Sequence, residues 1–386
     1  MSRLPVYFMI VFLAGFGEIS SQGLFEQSLS ASDSSKISPL TLNGFIRSTI
    51  YAGNQEDAPV YLQSVYSQVS LEASIGAGKY GYAFADMRYR AGYEFGEKIV
   101  VPEFREAYVS LYLGPLAIQA GKQLFSWGAT SFLNPTDQFS PMDPTFRSPE
   151  SEDLRKGTWA LSTSFSITGS SSFNFIWMPL YEPSVLLTEA FSFPDYLFLN
   201  DHQYGNMEIS NGSFALKYDL RSSLLDFDLA YFNGYRNTPS IALDTALFDM
   251  TSFQPELLRL SQRPYRVHMA GLNITIPAGS YLFRLEAAWM DPANEQEYDP
   301  VLPQSEISYI AEIEQSGTTV SLIAGYYGKY IPDFAEADFN PALIKGEMPD
   351  LADIFPPGTI PDISGLSSFL DTEIKGFNHL INYQKS

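Results

Sequence analysis

Residues 79–95 have the sequence KYGYAFADMRYRAGYEF, in which two kinds of side chain alternate from one position to the next. The odd positions hold Ala83, Ala85, Met87, Tyr89, Ala91, Tyr93 and Phe95, and the even positions hold Asp86, Arg88, Arg90 and Glu94. Successive side chains of a β-strand point to opposite faces, so this period of two predicts a strand with one apolar face and one charged face. Such a strand suits a wall that separates lipid from water.

Similar segments recur along the whole chain and number about fourteen. They cover approximately residues 41–52, 60–75, 79–95, 103–114, 115–127, 158–168, 171–178, 213–220, 224–235, 264–276, 280–290, 305–316, 318–331 and 373–384. Short turns, such as GAGK at 76–79 and PAGS at 277–280, alternate with long loops between the segments. This pattern predicts an all-β fold, a transmembrane antiparallel β-barrel with about 14 strands. A soluble all-β protein is the alternative, but the strand length, the turn asymmetry and the aromatic content favour the barrel.

The composition also favours a chain that faces a membrane. Aromatic residues make up 15% and charged residues only 17% of the 386 residues, and Cys is absent. Aromatic belts and an apolar outer band need such a balance, whereas the lack of Cys excludes disulfides, thiolate metal sites and thiol nucleophiles. The excess of 44 Asp and Glu over 23 Lys and Arg argues against nucleic acid as a partner.

The N-terminus carries the apolar run LPVYFMIVFLAGF directly after Arg3. The pattern predicts a secretory signal peptide over residues 1–21, then a periplasmic segment over 22–40 and a barrel with long extracellular loops over 41–386, in the bacterial outer membrane. The sequence ends in FNHLINYQKS, without the terminal aromatic residue common in such barrels. It is left open whether this barrel departs from that habit or is truncated.

Charged side chains on the polar parity are expected to line a water-filled pore. The predicted pore-lining residues are Arg47, Glu72, Asp86, Arg88, Arg90, Arg284 and Glu286. Opposed charges in a pore create a transverse field, and a surplus of acidic groups on this parity would favour cations. Alternatively, these charges pair across neighbouring strands and only hold the wall rigid.

The strand period stops inside the segment GKQLFSWGATSFLNPTDQFSPMD, residues 121–143. About thirty residues without a strand or helix period follow, which is long for a connection and typical of a functional or disordered loop. The predicted loop or constriction residues are Lys122, Trp127, Asn134, Asp137, Asp143, Arg147 and Arg155. The loop at 128–157 either folds into the barrel as a constriction or stays solvated outside it.

Two residues of this segment allow more than one role. Lys122 has the parity of lipid-facing residues, where a Lys at the membrane midplane would cost about 2–4 kcal/mol. We therefore expect a β-bulge at Gly121 that turns Lys122 inward toward Asp137 or Asp143, or else a position near the membrane interface. Trp127 is expected to belong to an interfacial aromatic belt, with a stacking platform for a sugar as the alternative.

The same segment resembles a known group of proteins. Its elements GKQ at 121–123, WG at 127–128 and NPTD at 134–137 are similar to a motif of porin-like bacterial outer-membrane proteins, which are largely uncharacterised and distantly similar to phosphate-selective and alginate-export porins. The resemblance covers about forty residues and, more loosely, the hairpin pattern of the chain. It implies a porin-like barrel, although the basic-rich selectivity of phosphate or alginate porins is not evident here.

These observations predict a passive pore for small hydrophilic solutes, with no enzymatic activity, no cofactor and no metal. The His residues at 202, 268 and 379 lack a metal-ligand spacing. Expected partners are outer-membrane lipid and the solute, with a homo-oligomer left open. One alternative is a structural or adhesive barrel whose long loops bind a partner. A less favoured alternative is an outer-membrane hydrolase that uses His268, which falls with Arg266 on a parity that could face the lumen.

Overall fold

The structure is a computed structural model that describes most of the strands and part of the loops. The described residues are 40–53, 61–94, 96–146, 148, 150–186, 194–200, 211–248, 255–293, 302–317, 320–332, 371 and 374. The predicted signal peptide and periplasmic segment therefore lie outside the described residues, except for Leu40, and both stay predictions. Within the described residues, no helix is long and apolar enough to cross a membrane.

The chain divides into two compact units, Met1–Tyr112 and Leu113–Ser386. The first unit contains four strands that pair with their sequence neighbours in an antiparallel meander. These strands are β1 (Leu40–Gly53), β2 (Tyr61–Gly76), β3 (Gly81–Glu94) and β4 (Glu97–Leu113). The register between β3 and β4 shifts after Asp86, which leaves Arg105 as an extra residue on β4. This shift is a β-bulge.

The second unit contains a larger antiparallel sheet and a smaller one. The strands are β5 (Leu116–Gln123), β6 (Thr158–Thr168), β7 (Ser171–Met178), β8 (Leu197–Asn200), β9 (Ser213–Arg221), β10 (Asp226–Tyr235), β11 (Ser240–Phe248), β12 (Pro255–Arg263), β13 (Arg266–Ala278), β14 (Tyr281–Pro292), β15 (Glu306–Ser316) and β16 (Ser321–Tyr330). The larger sheet has the order β5-β6-β7-β9-β10-β13-β14-β15-β16. The smaller sheet has the order β11-β12-β8, with β8 parallel to β12.

The two faces of the larger sheet differ in exposure. On β14, Leu285 is 41% and Trp289 44% exposed, whereas Glu286, Ala288 and Met290 on the other parity are buried. We call the first side the open face and the second the covered face, because a loop lies over the second. Buried and exposed residues also alternate on β10 and β13, as expected for strands with one apolar face in contact with solvent or lipid.

The prediction of an all-β antiparallel fold is confirmed. Thirteen of the predicted segments coincide with strands, while the fourteenth, residues 373–384, lies outside the described residues apart from Ile374. The prediction was wrong in three details, the first of which is that β4 begins at Glu97 and not at residue 103. Strands β8, β11 and β12 were missed, because they lie in long connections and form a separate small sheet around Leu258 and Ile241. Strand β5 ends at Gln123 instead of residue 127, because the chain then turns across the covered face.

Candidate functional site

The loop that follows β5, residues 124–157, lies against the covered face of the larger sheet, and we call it the fold-back loop. Glu286 of β14 is fully buried beneath it. Its two carboxylate oxygens accept the Ala129 N–H at 3.0 Å and the Thr136 N–H at 2.8 Å, and the Thr136 hydroxyl at 2.8 Å. A buried carboxylate needs such donors, because an uncompensated charge in a dry site is costly. Glu286 therefore fixes two points of the loop at once.

A second carboxylate, Glu312 on the neighbouring strand β15, holds the loop between these two points. It accepts the Ser131 N–H at 2.9 Å and the Ser131 hydroxyl at 3.0 Å. On the same face, Arg284 pairs with Glu312 and also with Glu314, at 2.7 Å. Arg284 thus neutralises part of the acidic charge on this wall. The sequence placed Arg284 and Glu286 on the polar parity, but it gave no signal that Glu286 and the neighbouring Glu312 bind the loop.

Two glycines allow the loop to approach so closely. A Cβ added at Gly271 of β13 would lie 2.6 Å from Cγ2 of Thr136, well inside van der Waals contact. Gly128 has φ 119°, and a Cβ there would overlap the side chain of Asn134. The Trp-Gly and Asn-Pro elements of the sequence motif therefore meet in space, since Asn134 packs directly on Gly128.

An apolar cluster fills the space between the loop and the wall. Trp127 and Phe139 pack edge to face, with ring centroids 4.8 Å apart, and Phe139 contacts Phe232 of β10 at 5.4 Å. The wall residues in the cluster are Ala160, Ile176, Met178, Ala215, Ala230, Phe232, Val267, Met269, Ala288 and Met290. The expectation that one parity of every strand is polar was therefore wrong for this region, because apolar side chains of the loop cover it.

Trp127 was expected to belong to an interfacial aromatic belt, and this expectation was wrong. It is only 5% exposed and lies inside this cluster, with the Lys217 ammonium 5.5 Å from the ring centroid. Burial by the loop excludes both the lipid contact and the stacking surface for a sugar. The tryptophan with the expected exposure is Trp159 of β6, which is 45% exposed.

The loop also carries an internal ion pair. Arg155 pairs with Asp137 and donates to the carbonyl oxygen of Phe125 at 3.3 Å. Burial raises the pKa of the Asp137 carboxyl, and the nearby Arg155 guanidinium offsets this only in part. Asp143 caps its own turn by accepting the Thr145 N–H at 3.0 Å. Arg147 lies outside the described residues.

Lys122 does not turn toward these carboxylates. The register of β5 with β6 runs without a shift from Leu116 to Gln123, so the bulge expected at Gly121 is absent from this strand pair. Lys122 is paired with Trp159, and directly paired residues share a face. Lys122 therefore lies on the open face, and a position near a membrane interface stays a prediction for it.

The first unit presents a separate polar face. Asp86 pairs with Arg88 and with the bulge residue Arg105, both at 3.7 Å, and accepts the Ser70 hydroxyl at 3.1 Å. Of the other residues predicted to line a pore here, Arg90 pairs with Glu94 at 3.0 Å, Arg47 donates to Gln68 at 3.4 Å and Glu72 lies across from Asp86 in the register. The sequence missed Arg105, because the bulge that turns its side chain toward Asp86 has no clear sequence signal. Their role as pore-lining residues stays a prediction.

His268 and Arg266 lie on the open face, so the suggested lumenal parity was wrong. The hydrogen-bond partners of His268 are Tyr231 and Asn233, both on that same face. Neither of these hydrogen-bond partners is a serine or a carboxylate, which a hydrolase would need beside a catalytic histidine. Among the described residues, no group of three His, Asp or Glu side chains is placed to hold a metal ion.

Comparison with known proteins shows a family but no named relative. No curated protein sequence matches the chain. The solved structure of Salmonella typhi OmpF in complex with daunomycin is 12% identical over 75% of this chain and 78% of its own, with a TM-score of 0.43. Outer-membrane expressed OmpT of Vibrio cholerae is 10% identical over 76% of each chain, with a TM-score of 0.42.

A mutant of the Rh. blastica porin is 10% identical over 75% of this chain and 99% of its own, with a TM-score of 0.30. These scores carry no argument about function. A family model, in contrast, matches residues 77–342, which is more than half of the chain. The chain therefore belongs to the family described as "Protein of unknown function (DUF1302)".

Proposed function

We propose that this chain is a bacterial outer-membrane β-barrel pore through which small hydrophilic solutes diffuse passively, with the fold-back loop as its constriction. The observation that carries the proposal is the attachment of residues 129–136 to Glu286 and Glu312 on one face of the wall, while the opposite face is apolar and exposed. A soluble sheet would bury its apolar face, whereas a barrel wall in lipid exposes it.

The dimensions of the open face support a position in a membrane. On β14, Trp289 and Tyr281 are 44% and 41% exposed and lie eight positions apart on the same parity. At about 3.4 Å per residue they are about 27 Å apart along the strand, or roughly 20 Å in height for a strand tilted by about 40°. The open-face residues between them on this strand are Phe283, Leu285 and Ala287. Outer-membrane barrels have an apolar band of roughly this height between two aromatic girdles.

The charges define the expected selectivity. In the second unit the loop contacts acidic groups of the wall, and the whole chain carries a formal charge of −21. In the first unit, Arg88, Arg90 and Arg105 are balanced by carboxylates on the same polar face. We propose a pore that prefers cations over anions. The distant sequence similarity would suggest a preference for phosphate or alginate. The described residues carry no surplus of basic groups that would support such a preference.

Liposome swelling tests this function. Purified full-length protein reconstituted into liposomes should admit neutral sugars up to a size limit, and the reversal potential in a salt gradient should favour the cation. Liposomes that remain impermeable to the smallest sugar, although the protein is inserted and folded, would contradict the pore. That result would favour the alternative of a structural or adhesive barrel whose long loops bind a partner.

A further inference from the structure

The open face changes character near the long-loop ends of strands β10, β13 and β14. In the strand register, Tyr231 lies beside Ala270 and Ala270 beside Trp289, which forms an apolar and aromatic row. The next row toward the long loops contains Asn233, His268 and Asp291, which are paired in the same way. The boundary between these two rows has the polarity change of a membrane interface.

The polar row is organised by direct contacts. The Nδ1 atom of His268 lies 2.9 Å from the Tyr231 hydroxyl and 2.9 Å from the side-chain nitrogen of Asn233. The other side-chain atom of Asn233, its Oδ1, accepts from Arg266 at 2.8 Å. An amide nitrogen can only donate, so Nδ1 of His268 is the acceptor and its Nε2 carries the proton. His268 Nε2 is thereby a hydrogen-bond donor on the open face.

Arg266 adds a positive charge that forms no ion pair with another described residue. Its guanidinium donates to the carbonyl oxygens of Asn211 at 3.1 Å and Gly212 at 3.3 Å, and it lies 5.0 Å from the centroid of the Tyr235 ring. Within the part of the chain that the structure describes, no Asp or Glu oxygen lies within salt-bridge distance of Arg266. Asp291, in the same polar row, accepts instead from Ser305. The guanidinium is thus held in place by neutral groups and keeps its charge for another partner.

We propose that Arg266, His268 and Asn233, flanked by Tyr231 and Tyr235, bind a phosphate group of a lipid headgroup in the outer leaflet. This proposal rests on the proposed position in the outer membrane. A guanidinium suits phosphate because it offers parallel N–H donors. The adjacent row with Tyr231 and Trp289 would contact the acyl chains of the same lipid. This apolar neighbourhood favours a lipid over free phosphate, and the carboxylate of Asp291 confines the anion to the Arg266 side of the row.

The test measures lipid binding to full-length protein in detergent micelles by native mass spectrometry. The probe is lipid A with its phosphate groups, compared with the dephosphorylated form. We expect the wild type to bind the phosphorylated form, and Arg266→Gln to weaken this binding about tenfold, because a charged hydrogen bond is lost. Arg263→Gln is the matched control, since Arg263 is an exposed arginine at the end of β12 in the smaller sheet. It should bind like the wild type.

Three results would overturn the proposal. These are equal binding of lipid A by wild type and Arg266→Gln, equal binding of the two lipid forms by the wild type, and full competition by inorganic phosphate at millimolar concentration. If Arg266→Gln fails to fold, as judged by heat-dependent mobility on gels, His268→Gln and the comparison of the two lipid forms on the wild type decide. Sugar uptake by liposomes is measured separately. Phosphate-dependent lipid binding without uptake would contradict the pore alone, and uptake without such binding would contradict the lipid site alone.

Discussion

Thr136 donates two hydrogen bonds, from its backbone N–H and from its hydroxyl, to the same oxygen of Glu286, and each donor–acceptor distance is 2.8 Å. The two residues are 150 positions apart in the sequence. Their contact joins the fold-back loop to β14 and determines which part of the wall the loop covers. The following predictions concern this contact and the residues that make it possible.

Replacement of Glu286 by Gln should loosen the loop. A glutamine side chain would point an N–H₂ group at one of the three donors, so at least one charge-assisted hydrogen bond is lost, at a cost of about 1.5–3 kcal/mol. We expect faster trypsin cleavage after Arg155 or Lys156 in the folded protein. Glu314→Gln is the control, because Glu314 pairs with Arg284 on the same wall and makes no contact with the loop among the described residues. Equal cleavage rates in the two variants would contradict the anchoring role.

Replacement of Gly271 by Ala should displace Thr136 of the fold-back loop. The added Cβ would lie 2.6 Å from the Thr136 methyl group, so either the loop or the strand has to shift. We expect a lower unfolding temperature and a higher rate of trypsin cleavage in the loop. Gly169→Ala should change neither quantity, because no atom lies within 4 Å of its added Cβ. An unchanged cleavage rate in Gly271→Ala would show that the loop does not pack on β13.

Truncation of Trp127 should remove the centre of the apolar cluster. A buried aromatic residue replaced by Ala costs about 3–5 kcal/mol, and we expect this loss in the free energy of unfolding measured by urea titration in detergent. Trp127→Phe should retain part of the stability, since it keeps a ring against Phe139. Trp159→Ala serves as the comparison, because Trp159 is 45% exposed on the open face. A cost for Trp127→Ala no larger than that for Trp159→Ala would contradict the burial of Trp127.

The packing of the loop should depend on pH through Asp137. Burial raises the pKa of this carboxyl above its ordinary value of 3.8, so the packed loop binds the proton more tightly than the released loop does. The stabilising contribution is then complete below pH 3.8 and is lost as the pH rises through the raised pKa. We expect the unfolding temperature of Asp137→Asn to change less than that of the wild type between about pH 4 and about pH 7. Parallel pH profiles of the two proteins would contradict this expectation.

The strands could be predicted from the sequence because their period of two is a local property. The segment around Asp86 and Arg88 shows both faces within a few residues, and its strand was placed within two residues of the observed bounds. The face of β13 could not be assigned in this way. Apolar residues lie on both of its parities, since Val267 and Met269 contact the loop cluster while Leu272 and Ile276 lie on the open face. His268 was assigned to the wrong side for this reason.

The candidate site was predicted only in part. The sequence indicated that residues 128–157 form a special loop, and the acidic parity of Glu286 was apparent. The contact between Glu286 and Thr136 was not apparent, since it joins two distant segments and depends on Gly271, whose missing side chain leaves room for the side chain of Thr136. The same holds for Arg105, which reaches Asp86 through a bulge. Contacts between distant segments have no periodic signal in a single sequence.

Single-channel conductance in a planar lipid bilayer tests the central claim most directly. Wild-type protein should give discrete conductance steps with a preference for cations. A variant with both Glu286→Gln and Glu312→Gln, which removes the two carboxylates that hold the loop, should give larger or noisier steps. Folded wild-type protein that inserts but gives no conductance steps would contradict the pore, and steps of the same size in the double variant would contradict the role of the fold-back loop as its constriction.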